Sequence, residues 1–421
     1  MSPIPSACQG LANALAEHEA ELADLQGQIS GRDLPPNEPF PSSSQKAFLG
    51  QAINREREAV RKAKRSLDDC ILVNTPPAPA NTTPTLQITS MEVTQSVQRG
   101  ANSMRLIRNR RTAVRVFVVS GVDNGFDAGA GRNRWPGITG EVRVTDPATG
   151  FTSAWLQPAN PGGAITAVPR AELNQNNGAH SLNFSLPLSA VSAANIEITA
   201  RVWVKGHFSE GGGWTAESTT SVELRDRPPQ EVTPFLIMDV PGGLPPPTMA
   251  QFTSVLRRGA LARLPVPFFR VNPPITLPVG QDLTSTLGWA SMLAGLATII
   301  AVIGRSSGGI RAGLVPFNPA YPVCGMGIPR ILFSAPVFVS DPGEDCFAHE
   351  MGHTHGLNHA VCSGTEPWLH DDRLPARTDG MGMHVEDMTV IPQASSELMS
   401  YCPSPTWPSI ATYDFIYDHP V

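Results

Sequence analysis

The stretch Asp341–His359, DPGEDCFAHEMGHTHGLNH, constrains this 421-residue chain most, because it dictates a helix, a break and a return. Asp341 is placed to cap the helix, Pro342 to fill its first position and Glu344 to reach back as a capping-box partner. His349 and His353 are four residues apart, so at about 100° per residue both imidazoles leave one face and reach one zinc ion. Glu350 follows the first ligand directly, which sets its carboxylate beside the metal but off the ligand axis, where a general base meets a water. Gly356 can take the left-handed conformation that ends a helix, so the chain reverses and returns His359 as a third ligand. Three histidines leave a fourth position for water. His355 sits about 200° round from His353 and reads as a packing or solvated residue. The full pattern HExxHxxGxxH arises by chance in about two of 100,000 chains of this composition, so it is read as a site.

Composition sets the surroundings. With 41 prolines, 37 glycines, 41% apolar and 16% charged residues, the chain is too apolar for disorder and too rich in turn formers for an all-helical body. A net charge of −6 gives no general attraction for phosphate backbones, and nucleic acid is not expected as a partner. Met1–Ala20 lacks the order of a secretory signal, and three glutamates, Glu17, Glu19 and Glu21, fall at its end and just after it. Leu283–Gly304 is uncharged but holds five hydroxyl side chains; it is expected as a buried helix, with no membrane span.

The expected fold class is multidomain α+β. Residues 1–73 read as an antiparallel helical hairpin: Leu11, Leu15, His18, Leu22, Leu25 and Ile29 form one heptad seam, and Leu49, Ile53, Glu56, Val60, Ala63 and Leu67 the other. Pro35, Pro36, Pro39 and Pro41 turn the chain between them, which brings Cys8 and Cys70 together as a disulfide pair. The basic run Arg55, Arg57, Arg61, Lys62, Lys64, Arg65 reads as a solvated face. Residues 74–85 are a linker. Six alternating runs within 86–230, at 86–90, 114–118, 138–144, 182–186, 196–204 and 220–224, predict an all-β sandwich, a structural module or one that recognises an unknown surface ligand. Residues 231–421 read as an α/β domain, with strands over 235–240, 312–317 and 331–339 and helices over 247–264 and 283–303.

On HExxHxxGxxH, together with Met399 in the run ELMSY forty residues after His359, the last domain resembles the metzincin clan of zinc metallopeptidases. The resemblance implies that Met399 supports the ligand histidines from below and that Tyr401 reaches the zinc or steadies the oxyanion. It implies a zinc-dependent endopeptidase that hydrolyses peptide bonds of protein substrates through a zinc-activated water, with Glu350 as general base. Ala360 departs from the residue that marks the better-known families, so no subfamily is assigned. In a clan member the loop with Trp368, Asp371, Asp372, Asp379 and Met383 walls the specificity pocket, although the three aspartates read more simply as surface charge. Cys324, Cys346, Cys362 and Cys402 are expected as two disulfides clamping the site, which points to an oxidising, extracellular or cell-surface location; without a leader, the cytoplasm is the other option. The rival role for Cys324 is a thiolate on the zinc. The alternative function is a surface-binding or adhesion protein with a structural zinc site, closed by a fourth protein ligand.

Overall fold

A computed structural model describes residues 8–30, single positions between 53 and 67, and 85–120, 134–210, 214–303, 309–328, 337–362, 370–402 and 406–421. The chain is a mixed α+β protein. Helix α1 (Gln9–Ser30) carries His18 against Glu56, with Nδ1 and Oε1 2.5 Å apart, so the two seam positions of the heptad pattern meet. Cys8 is buried and disulfide-bonded, whereas the expected partner Cys70, the proline connector and most of the linker lie outside the described residues.

All six alternating runs are strands. Period-two patterning in β-branched residues favours extended chain, because each strand can then bury one face. The strands are β1 (Leu86–Thr94), β2 (Val97–Gln98), β3 (Leu106–Ile107), β4 (Thr112–Ser120), β5 (Trp135–Thr145), β6 (Ile165–Ala167), β7 (Ser181–Leu186), β8 (Asn195–Val204) and β9 (Thr215–Arg225). All but β2 form two sheets, β1-β4-β7 and β3-β9-β8-β5-β6. Val114, Val116, Val118, Leu182 and Phe184 of the first share one apolar core with Ile138, Val142, Ile196, Ile198 and Val202 of the second. β4 is buried along its whole length, because its other face lies under the C-terminal part of the chain, where Ala113 packs on Met383 and Val385.

The third large sheet comprises β10 (Gln230–Asp239), β11 (Phe269–Val271), β12 (Ile275–Val279), β13 (Ile310–Leu314), β14 (Gly325–Ile328) and β15 (Val337–Ser340). Its order is β11-β10-β13-β15-β14, with β12 also on β10; all pairs are parallel except β14 with β15. Parallel strands need cover on both faces. Helix α2 (Met249–Val255), started by a Thr248–Gln251 capping box and continued by a π-helical turn over Leu256–Leu261, packs on one face with helix α4 (Glu344–Thr354) through Phe252, Phe338 and Phe347. Helix α3 (Thr286–Ile303) covers the other with Trp289, Met292, Leu293 and Leu296. Among the described residues no helix is long and apolar enough to cross a membrane.

The chain then adds short strands β16 (Met381–His384), β17 (Thr389–Ile391), β18 (Ser396–Glu397) and β19 (Thr406–Trp407), and helix α5 (Ile410–Asp418). These reach back to the first sheets. β16 pairs with β2, Trp407 Nε1 donates to the Ser96 carbonyl at 3.0 Å, and Arg105 forms an ion pair with Asp414 at 2.8 Å. Val97 and Met104 share a small core with Ile410 and Tyr413.

Candidate metal centre

Helix α4 begins later than its sequence suggests. Gly343 is the N-cap and offers no side chain, while Asp341 Oδ1 accepts from the Gly343 N–H at 2.9 Å and so builds a turn ahead of the helix. Glu344 does not reach back either, because Arg258 lies beside it and donates to its carboxylate at 2.5 Å. The Asp341 carboxyl is pushed up to about 6, chiefly by burial.

At its other end α4 stops as its glycine requires. Gly356 has φ 95°, its N–H bonds to the His353 carbonyl at 2.9 Å, and the Leu357 N–H bonds to the Gly352 carbonyl at 3.4 Å, the paired bonds of a left-handed helix stop. The reversal brings His359 to His349 and His353. One ring nitrogen of each lies within 4.8 Å of the other two, and the Nε2 atoms of His353 and His359 are 3.0 Å apart. His349 Nδ1 donates to the Leu398 carbonyl at 2.9 Å and His353 Nδ1 to the Leu357 carbonyl at 2.8 Å. A carbonyl can only accept, so both Nε2 atoms keep a lone pair for the centre. Burial holds all three imidazoles neutral, pushing His349 well down, His353 down and His359 to about 4. His349 Nε2 is buried without a hydrogen-bond partner, and so is Glu350 Oε2. Burial, with Asp341 nearby, raises the Glu350 carboxyl well above the ordinary range. An unpartnered His349 Nε2, in a group of three neutral imidazoles whose ring nitrogens converge, is what a cation would satisfy, so the residues fit a metal ion.

Met399 is wholly buried under this helix. A Cβ on Gly352 would stand 2.4 Å from its sulfur, so helix and methionine touch at a residue with no side chain. Glu397, also wholly buried, accepts from the Met399 N–H and from the N–H of Ser409 at 3.1 Å, tying the turn that carries Met399 to the start of α5. Tyr401 is 52% exposed, and its ring centre lies 4.6 Å from that of His359 and 5.3 Å from that of His349. Burial of the hydroxyl and the Glu350 charge push it up to about 12, so it keeps its proton.

The structure therefore brings His349, Glu350, His353, His359, Met399 and Tyr401 into one place. His355 packs away from them, with Nδ1 on the His419 carbonyl at 2.9 Å. Cys324 is bonded to Cys346, which takes it out of the ligand set, and Cys362 is bonded to Cys402. Asp371 is not surface charge: it is buried, pairs with Arg373 and accepts from the Asn358 N–H at 3.4 Å, steadying the chain beside His359. Asp379 accepts from the Ile410 N–H at 2.8 Å at the start of α5, and Met383 faces the core behind β4 rather than a cleft. Asp372 is exposed, and Trp368 lies outside the described residues. Four residues escaped the sequence reading. Glu397 left no signal, whereas Gly352 inside the motif and the alternation of Gly325 and Gly327 were signals of close approach.

No family model matches this chain, and neither does any curated protein. Among solved structures, one described as "Structure of a chaperone-substrate complex" is similar at 10% identity over 44% of this chain and 29% of that one, with a TM-score of 0.22. The chain thus spans less than a third of that neighbour, and the likeness is too low to carry an argument.

Proposed function

We propose that this protein is a zinc-dependent endopeptidase of the metzincin kind. The observation that carries the reading is the convergence of three histidine nitrogens next to the buried Glu350 of the same helix, one of whose carboxylate oxygens has no partner. His349, His353 and His359, with Nδ1 tied to carbonyls on the first two, form the donor set of a catalytic zinc site, and the ion would supply Lewis acidity toward a water and a scissile carbonyl. Glu350 takes the proton of that water and hands it to the leaving amine nitrogen, tasks helped by burial, which raises its carboxyl well above the ordinary range. The Tyr401 hydroxyl, protonated and facing the same centre, donates to the developing oxyanion. β14 pairs only with β15 among the described strands, so its outer edge offers backbone groups to an extended peptide.

The second reading is a binding protein whose metal is structural. A closed structural site needs a fourth protein ligand, and among the described residues the histidine group has three members. The test is zinc content and cleavage of a mixed peptide library by the wild type and Glu350→Ala. One zinc in each with cleavage by the wild type alone supports the peptidase; one zinc in each with no cleavage turns the balance to the binding protein.

A further inference from the structure

Cys346 and Glu350 are four residues apart on one face of α4, and Cys324 is the residue before β14. Both sulfurs of the bridge and a Glu350 carboxylate oxygen lie within 4.8 Å of one another. The strand it delivers is pressed against the same carboxylate. A Cβ on Gly325 would stand 2.5 Å from Glu350 Cγ and 2.9 Å from Cys346 Sγ, and a Cβ on Gly327 would stand 3.1 Å from Glu350 Oε2 and 3.0 Å from His353 Cβ. The backbone of β14 is therefore the wall on which Glu350 lies.

We propose that the Cys324–Cys346 disulfide is the positioning element for Glu350, and that its formation switches the centre from incompetent to competent; this rests on the endopeptidase reading. Bonded sulfurs sit about 2.05 Å apart, while unbonded ones need about 3.5–4 Å. No slack exists for that difference where even a methyl group has no room, so breaking the bridge moves β14 off α4 or turns Glu350 aside. A misplacement of about 1 Å costs about 100-fold in rate. The switching step is thiol–disulfide exchange: the two protein thiols transfer two electrons and two protons to a low-molecular-weight disulfide, which leaves as two thiols. The chain stays latent in a reducing compartment and becomes competent on oxidation.

The test uses the full chain loaded with Co2+, whose absorption reports the surroundings of the metal. Four forms are compared: wild type, Glu350→Ala, the Cys324→Ser/Cys346→Ser double variant, and wild type reduced by a dithiol after folding. The double variant and the reduced form are expected to keep one metal per chain, shift their spectrum toward that of Glu350→Ala, and exchange the amides of Gly325–Ile328 faster. In peptide cleavage they lose about 100-fold in kcat with KM within about threefold, and oxidised glutathione restores the reduced form. A wild-type spectrum and wild-type exchange in a form with free thiols at these positions would overturn the inference, as would equal acceleration at β14 in Cys362→Ser/Cys402→Ser, which would mean general loosening. Should the wild type cleave nothing, the endopeptidase reading falls, while spectrum and exchange still decide whether the bridge positions Glu350.

Discussion

Two buried ionisable groups in this protein are handled in opposite ways. Arg115 lies in the middle of β4 with no exposure, yet it has Glu92 at 3.5 Å, the Gln175 carbonyl at 2.7 Å and Ser181 Oγ at 3.3 Å. Glu350 is buried almost as deeply, and one of its oxygens has no partner. A buried ionisable group with partners holds sheets and loops in one arrangement, whereas one without them costs stability and persists where something else must fill the space. Burial alone therefore says little; the partners separate scaffold from chemistry.

The largest expected effect breaks the unpartnered side of that contrast. Glu350→Ala should cut peptide cleavage by about 100-fold to 10,000-fold and leave metal content unchanged, while its melting temperature rises because an unpaired buried carboxyl is gone. A fall in melting temperature would show that Glu350 is a structural residue like Arg115. On the partnered side, Arg115→Met should cost about 3–5 kcal/mol by stranding Glu92, and Arg115→Met/Glu92→Leu should recover most of it in denaturant titrations. Gly352→Ala comes next: forcing a methyl against Met399 should cost about 1–3 kcal/mol and weaken metal binding in competition with a chelator.

The smallest effect is a pH dependence. The Asp341 carboxyl is raised from 3.8 to about 6 in the fold, so its neutral form is the favoured one. That contribution is complete below pH 3.8 and is lost as pH rises through about 6. Asp341→Asn cannot ionise, so its melting temperature relative to wild type should climb between pH 4 and 7. A constant difference across that range would remove Asp341 from the account.

The same contrast explains what could be read from the chain. Six of the eight strands in the first two sheets were legible because alternation of apolar residues along them is a direct imprint of one buried face, as in β8, whereas the short β3 and β6 carry no such pattern. The residues gathered at the metal centre were legible because helix geometry and a glycine stop fix their spacing; their chemical roles stand with the proposal. β14 was not legible, since GMGI has no strand propensity and is extended because its glycines fit against α4. Nor was the true start of α4, where Arg258, distant in sequence, claims Glu344. Asp371 read as surface charge, and Glu397 left no signal, because the backbone N–H groups they accept from carry no signature in sequence.

Trp407 reaching back to Ser96, and β16 pairing with β2, join segments about three hundred residues apart. Such non-local pairings close late, since loop-closure entropy comes before any reward. Seen in time, then, Met399 lies between two segments whose partners belong to the opening part of the chain. A chain emerging from the ribosome carries His359 forty residues before Met399, so all three histidines are made before the residue that packs beneath their helix.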